Sequence, residues 1–424
     1  MSVAKNLVLH FRPVRLPAKT LAYTHTFGLG GSAFVLVLLL VMTGVLLMFV
    51  YEPVPGYAYE SIVALQQDVL FGKFVRSVHH WSANFLVVVV LLHLLRTYFT
   101  GAYFESRQFN WIIGLALFVC VLASNFTGYL LPWDQLSFWA ITISTGMLEY
   151  VPVVGIWFKQ ALLGGPEISS GTLINFYTLH TTLIPVTIVV LMAFHFWRVR
   201  KAGGVVVPRA PGEGPQSRPE RVRAIPSLLY REIAVALVLI AGVFVFSALF
   251  TAPLGEIANP GMSPNPAKPP WYFVGLQELL LHFHPTFAVL VIPTGVCLAL
   301  LVIPYLQYEE NTSGVLLASG NGRRFAAVAA AATAIFTAAL VLMDEYLLDF
   351  SRWLPSVPAI VSNGLVPTAM LAVLLWSMDL WLRKRCDASR VERVQTFFVV
   401  ALFAFTTLTV IGVWFRGPGM ILTW

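Results

Sequence analysis

Four histidines fall in two apolar stretches as two pairs of similar spacing. "SVHHWSANFLVVVVLLHLLR" (77–96) carries His79 and His80 at one end and His93 at the other, and "LHTTLIPVTIVVLMAFHFW" carries His180 and His195. An α-helix turns about 100° and rises about 1.5 Å per residue, so His79 and His93 share a face to within about 40° and lie about 21 Å apart. His180 and His195 are one step further apart, about 60° round and roughly 22 Å along. His80 lies about 220° from His93 and points elsewhere. If the two helices run the same way in register, His79 faces His180 and His93 faces His195. Neutral imidazole is a good iron ligand, and bis-imidazole ligation of two haems is the chemistry this pattern points to. Packing or hydrogen-bonded histidines are the plain alternative. Ionisable side chains inside a membrane are rare and usually functional, and four at matched spacing weigh against that alternative.

Glycines repeat the interval. Gly30 and Gly44, and Gly114 and Gly128, are separated as His79 and His93 are, at the same two depths. Glycine allows a flat ligand to approach the backbone. Small-residue helix packing is the ordinary use of such a pattern, but the shared interval favours clearance for haem.

The elements that must position these residues are membrane helices. The 424 residues are 58% hydrophobic and 11% charged, with a mean hydropathy of +0.78, whereas soluble domains carry about 25% charged residues. Apolar runs long enough to cross the hydrocarbon core fall at 30–51, 80–99, 111–131, 178–197, 232–251, 286–306, 325–343, 360–382 and 395–415. The reading is an all-α, polytopic membrane protein of about nine helices. Residues 1–19 are basic, and the first span lacks a signal-peptide layout.

Lys and Arg set orientation. With the N-terminus inside, most of the 27 Lys and Arg fall in inside segments, among them Lys5, Arg12, Arg96, Arg107 and the runs 198–231 and 383–393. Outside segments hold only Lys73, Arg76, Lys159, Lys268, Arg352 and Arg416. The expected N-terminus is cytoplasmic, in a cell inner membrane. The net charge of +7 follows from this asymmetry and gives no reason to invoke nucleic acid. Cys120, Cys297 and Cys386 are isolated, so neither a disulfide framework nor a CxxCH haem attachment is written here.

"RKAGGVVVPRAPGEGPQSRPERVR" (200–223) is rich in Gly, Pro and Arg and reads as a cytoplasmic linker. The expected domains are a di-haem four-helix domain over 1–199, a linker over 200–228 and a C-terminal membrane domain over 229–424. Two outside loops, 132–177 and 252–285, are long and aromatic, and loops of that length tend to be functional. His10, His25, His282 and His284 read as loop or surface residues.

Together these segments resemble cytochrome b of the quinol-oxidising Rieske/cytochrome b complexes. "RSVHHWSANFLVVVVLLHLLRTYFTGAY", "GYLLPWDQLSFWA", "FYTLHTTLIP" and "LGEIANPGMSPNPAKPPWYF" occur in the family's order. The spacing of His180 and His195, with "PWDQ" at 132–135, resembles the chloroplast and Gram-positive branch, whose two halves would here be fused. The resemblance implies that His79 and His180 ligate an outer haem b, and His93 and His195 an inner one. It places Arg76 near a haem propionate. Tyr129, Trp133, Pro270, Trp271, Tyr272 and Phe273 would border the outer quinol-oxidation site. Arg200 and Lys201 match basic residues near the inner quinone site, where Glu232 supplies a titratable carboxylate. The implied partners are a Rieske iron–sulfur protein and a c-type cytochrome or equivalent acceptor, in a homodimeric complex within the lipid membrane. The implied activity is a Q-cycle that builds proton-motive force.

Three departures stand out. Gly28, in "THTFGLGG", stands where chloroplast-type relatives carry the cysteine that bonds an extra haem, so two non-covalent b haems and no covalent haem are expected. Pro270 replaces the family's glutamate before Trp-Tyr. An extra C-terminal span ends in "FRGPGMILTW". Pro270 cannot accept a proton, which leaves Glu278, slightly favoured, and Glu256 as the carboxylates nearest Tyr272 for quinol deprotonation. A low-potential quinol such as menaquinol would tolerate a site without a dedicated base. Two rivals remain. A di-haem membrane anchor of a dehydrogenase needs neither the 252–285 loop nor five further helices. A His-relay transporter predicts mid-span charges and inverted repeats, and no b-type absorbance.

Overall fold

In the computed structural model, residues 12–214 and 219–423 are described; Lys5 and His10 lie outside them. Among the described residues, nine helices are long and apolar enough to cross a membrane, and the architecture is all-α and polytopic. The first five are α1 (Leu29–Met48), α2 (Gly72–Phe99), α3 (Gln108–Tyr129), α4 (Ser170–Lys201) and α5 (Ala224–Leu249). A short helix, α6 (Trp271–His282), precedes α7 (Phe287–Tyr305), α8 (Gly320–Tyr346), α9 (Val361–Arg385) and α10 (Arg390–Trp414).

Helices α2 and α4 begin well before the apolar runs at 80 and 178. Backbone hydrogen bonding does not stop where side chains turn polar, and the start of α4 is fixed by a capping box between Ser169 and Thr172. Three spans contain a π-bulge, at Leu179–Leu183, Phe287–Val291 and Val361–Leu365, and proline follows each, at 185, 293 and 367. Proline has no N–H to give and its ring crowds the carbonyl four residues back. One extra residue in that turn relieves both problems.

Compactness divides the chain differently from the expected boundary at 200–228. One unit comprises Met1–Asp134, Ser169–Gly255 and Asn311–Leu316. In it α1 packs on α2, α3 on α4, and α5 on both α1 and α2. The described part of 200–228 is fastened to this unit rather than free. Strand β1 (Arg15–Pro17) pairs antiparallel with β2 (Arg221–Arg223), and the Arg209 Nε donates to the Ser313 carbonyl at 2.7 Å.

The second unit comprises Gln135–Ile168, Glu256–Glu310 and Leu317–Trp424. Here α10 packs along α8 and α6. The two long loops are stitched together within it: the Gln135 amide donates to the Glu256 carbonyl at 2.8 Å, and the Trp139 indole to the Asn259 carbonyl at 3.1 Å.

Candidate functional site

Helices α2 and α4 bring the four histidines together as two pairs. The ring centroids of His79 and His180 are 6.1 Å apart, and those of His93 and His195 are 6.5 Å apart. A metal–imidazole bond is about 2 Å. Two in line, with a ring radius of about 1.2 Å at each end, place centroids roughly 6.4 Å apart. Both pairs therefore fit one metal centre each.

The residual mismatch in spacing has a structural answer. Bulge Leu179–Leu183 contains His180. One extra residue in the turn resets the phase by about 100°, so the longer interval on α4 behaves as the regular interval on α2. Both histidines of α4 then face those of α2.

Hydrogen bonds orient the outer pair. The His180 Nδ1 lies 2.9 Å from the Ser124 carbonyl oxygen, which can only accept. The His79 Nδ1 lies 2.9 Å from the Thr43 hydroxyl, which itself donates to the Leu39 carbonyl at 2.7 Å. In both rings the proton belongs on Nδ1, and Nε2 is left as the ligand nitrogen.

Each of the four glycines stands against one histidine. A Cβ added at Gly30 would lie 3.3 Å from His93 Cε1, at Gly44 3.3 Å from His79 Cε1, and at Gly114 3.7 Å from His195 Cε1. At Gly128 it would overlap the His180 ring. This cradle, which methyl groups would fill, and the spacing of the paired imidazoles together fit haem b at both depths.

A cavity of about 290 Å³ opens beside the inner pair, lined by His93, His195, Arg96, Arg107, Arg12 and Glu232 among others. Glu232 is paired with Arg12 at 2.5 Å. Arg200 and Lys201 do not line this cavity. They follow His195 by about 140° and 240° of helical rotation, and the Lys201 ammonium sits 5.1 Å over the Trp197 ring. Of the residues expected at the inner face, Glu232 thus lines the cavity and Arg200 and Lys201 do not, because proximity along a helix is not proximity in direction.

The outer-site residues were expected as one group. Tyr129 ends α3, and Trp133 is buried with φ +54° in the turn that follows. In the other unit Pro270 precedes α6, and the rings of Trp271, Tyr272 and Phe273 follow at centroid separations of 5.5 and 4.8 Å. Arg76 is buried, and its guanidinium donates to the carbonyls of Ala252 and Pro253 at 2.9 and 2.6 Å. It holds the start of the 252–285 loop.

Glu278 needs the largest correction. It shares a face of α6 with Trp271, as expected, but that face packs on α10 and Glu278 is fully buried. Burial would raise its pKa, yet hydrogen bonds from His282 and Arg416, with their charges, hold it below the usual value. A carboxylate so held is a poor proton acceptor. Glu256 is exposed. His25 and His282, read as loop residues, are both enclosed: a His25 ring nitrogen lies 2.6 Å from the Val206 carbonyl oxygen, and His282 lies between two carboxylates. Gly28 has φ +64°, and a Cβ there would lie 3.1 Å from Val235.

A family profile described as Cytochrome b/b6/petB matches residues 16–203. Among curated proteins, cytochrome b6 of Porphyra purpurea is 42% identical over 175 residues, covering 41% of this chain and 81% of that protein. Cytochrome b6 of Prochlorococcus marinus (strain MIT 9211) is 41% identical over 175 residues, covering 80% of that protein. A solved chain titled "Hyperthermophilic respiratory Complex III" superposes with a TM-score of 0.68 at 21% identity, covering 96% of each chain. That last likeness is one of fold.

Proposed function

Because this chain belongs to the cytochrome b/b6 family, we propose that it is the di-haem cytochrome b subunit of a quinol-oxidising complex. The observation that carries this reading is the double His pair, each histidine backed by a glycine, at two depths on α2 and α4. His79 and His180 hold the outer b haem and His93 and His195 the inner one. Neither is attached covalently, since position 28 has no thiol. Bound there, the haems supply one-electron transfer at two depths of the membrane.

In this reading quinol is oxidised at the outer face. One electron leaves to a Rieske iron–sulfur partner and on to a c-type cytochrome or equivalent. The other crosses to a quinone at the inner face, in a homodimeric complex of the cell inner membrane with a cytoplasmic N-terminus. Trp271, Tyr272 and Phe273 supply apolar and hydroxyl surface for the quinol ring. Pro270 fixes the entry to α6. Glu256, an exposed carboxylate, replaces Glu278 as the better candidate to take the quinol proton. At the inner face Glu232, held by Arg12, delivers protons to the reduced quinone beside the cavity.

The test is quinol reduction of the b bands in membranes. A reduced quinol should reduce them in the wild type, and Glu232→Gln should slow their reoxidation while quinol oxidation persists. Bands that no quinol reduces would reject the reading.

A further inference from the structure

The proposed function leaves one buried cluster unused. At the C-terminal ends of α6, α8 and α10, the Arg416 Nε lies 3.0 and 3.1 Å from the two oxygens of Glu278, and its Nη2 lies 2.6 Å from one of them. Arg416 is 3% exposed and reaches Glu345 through Nη1 at 2.8 Å. On the far side, the His282 Nε2 lies 3.2 Å from Glu278 and its Nδ1 2.7 Å from Asp344. An imidazole with a carboxylate at each nitrogen donates from both and carries charge.

Helices α6 and α10 touch closely along their length. A Cβ at Gly275 of α6 would lie 2.5 Å from the Thr409 hydroxyl and 2.9 Å from Phe405, and one at Gly412 of α10 would overlap Val274. Before α6 begins, the Lys268 ammonium donates to the Val413 carbonyl at 3.0 Å. Both ends of α6 are therefore tied to the end of α10. A helix of 12 residues is marginal by itself and takes its position from such contacts.

We propose that the end of α10 and the segment after it form a latch for α6, with Arg416 as the residue that positions Trp271, Tyr272 and Phe273. The extra C-terminal span is then part of the outer site's framework. The functional half of this proposal rests on the quinol-oxidising reading; the structural half does not.

The experiment compares wild type, Arg416→Gln, Lys268→Gln and the double change Glu278→Gln with Arg416→Gln, each as the full chain in its complex. Amide exchange across residues 271–282 and steady-state quinol oxidation are both read. Arg416→Gln should speed exchange in α6 roughly tenfold or more, the factor expected for losing a charge-assisted hydrogen bond. It should raise the quinol KM more than it lowers kcat and leave the b bands intact. The double change, which leaves no unpaired Glu278 charge, should recover part of the exchange protection. Lys268→Gln should produce a smaller effect in the same direction, and it decides the matter if Arg416→Gln does not accumulate. Unaltered α6 exchange in the variant that accumulates, or unaltered quinol KM with faster exchange, would overturn the proposal. If the wild type oxidises no quinol, the functional reading fails separately, while exchange still decides the latch.

Discussion

At the outer pair each imidazole donates its Nδ1 proton to a fixed oxygen and keeps Nε2 for a ligand, so the two histidines would hold one haem between them and removing either should empty the site. His79→Ala or His180→Ala should remove one b component from reduced-minus-oxidised spectra, and His93→Ala or His195→Ala the other. Loss of both, or of neither, from a single change would contradict the pairing. The glycines grade the cradle: Gly128→Ala forces the His180 ring to move and should cost the outer component, whereas Gly114→Ala, with 3.7 Å of room, should keep both. His282 adds a pH dependence. Burial opposes its charge, but Asp344 and Glu278 outweigh burial and raise its pKa from 6.5 to about 9. Its stabilisation is therefore complete below about pH 6.5 and lost as pH rises through about 9. The gap in thermal midpoint between wild type and His282→Asn should narrow across that window, and a constant gap would refute the assignment. The haem-ligand candidates were legible because helical phase is written in spacing. Arg416 and His282 were not, because each looks like a lone polar residue until α6, α8 and α10 are packed.

Among the elements, α4 and the α6–α10 pair are where local rules meet tertiary demands. Pro185 is plain in the sequence, but a kink and a π-bulge are equally open to it. The need for His180 to face His79 is met by the bulge. The close approach of α6 and α10 depends on Gly275 and Gly412. Gly275→Val should destabilise the protein by about 1–3 kcal/mol, the usual cost of overpacking, read as a lower thermal midpoint with unchanged b bands. No change in midpoint would mean that the two helices are not in contact there. Removing only one partner of the buried Glu278–Arg416 pair should cost more, about 3–5 kcal/mol, since a buried charge is left unpaired. Neither glycine is marked in the sequence, because a single glycine in an apolar run has no phase partner.

Over the whole molecule, hydropathy made the number of spans and the all-α class legible, since the bilayer imposes both length and helicity. The division into units was not. Helix α5 follows a Gly/Pro-rich stretch that reads as a boundary, yet it packs on α1 and α2, and β2 of that stretch pairs with β1. Composition reports local flexibility and not which surfaces a later helix will cover. The central claim is that α2 and α4 hold two haem centres stacked across the membrane, and its most direct test is the haem content of the purified chain. Pyridine haemochromogen absorbance against quantitative amino-acid analysis should give two b haems per polypeptide, extractable by acid–acetone. One haem or none per polypeptide, or a haem that stays on the chain after extraction, would contradict it.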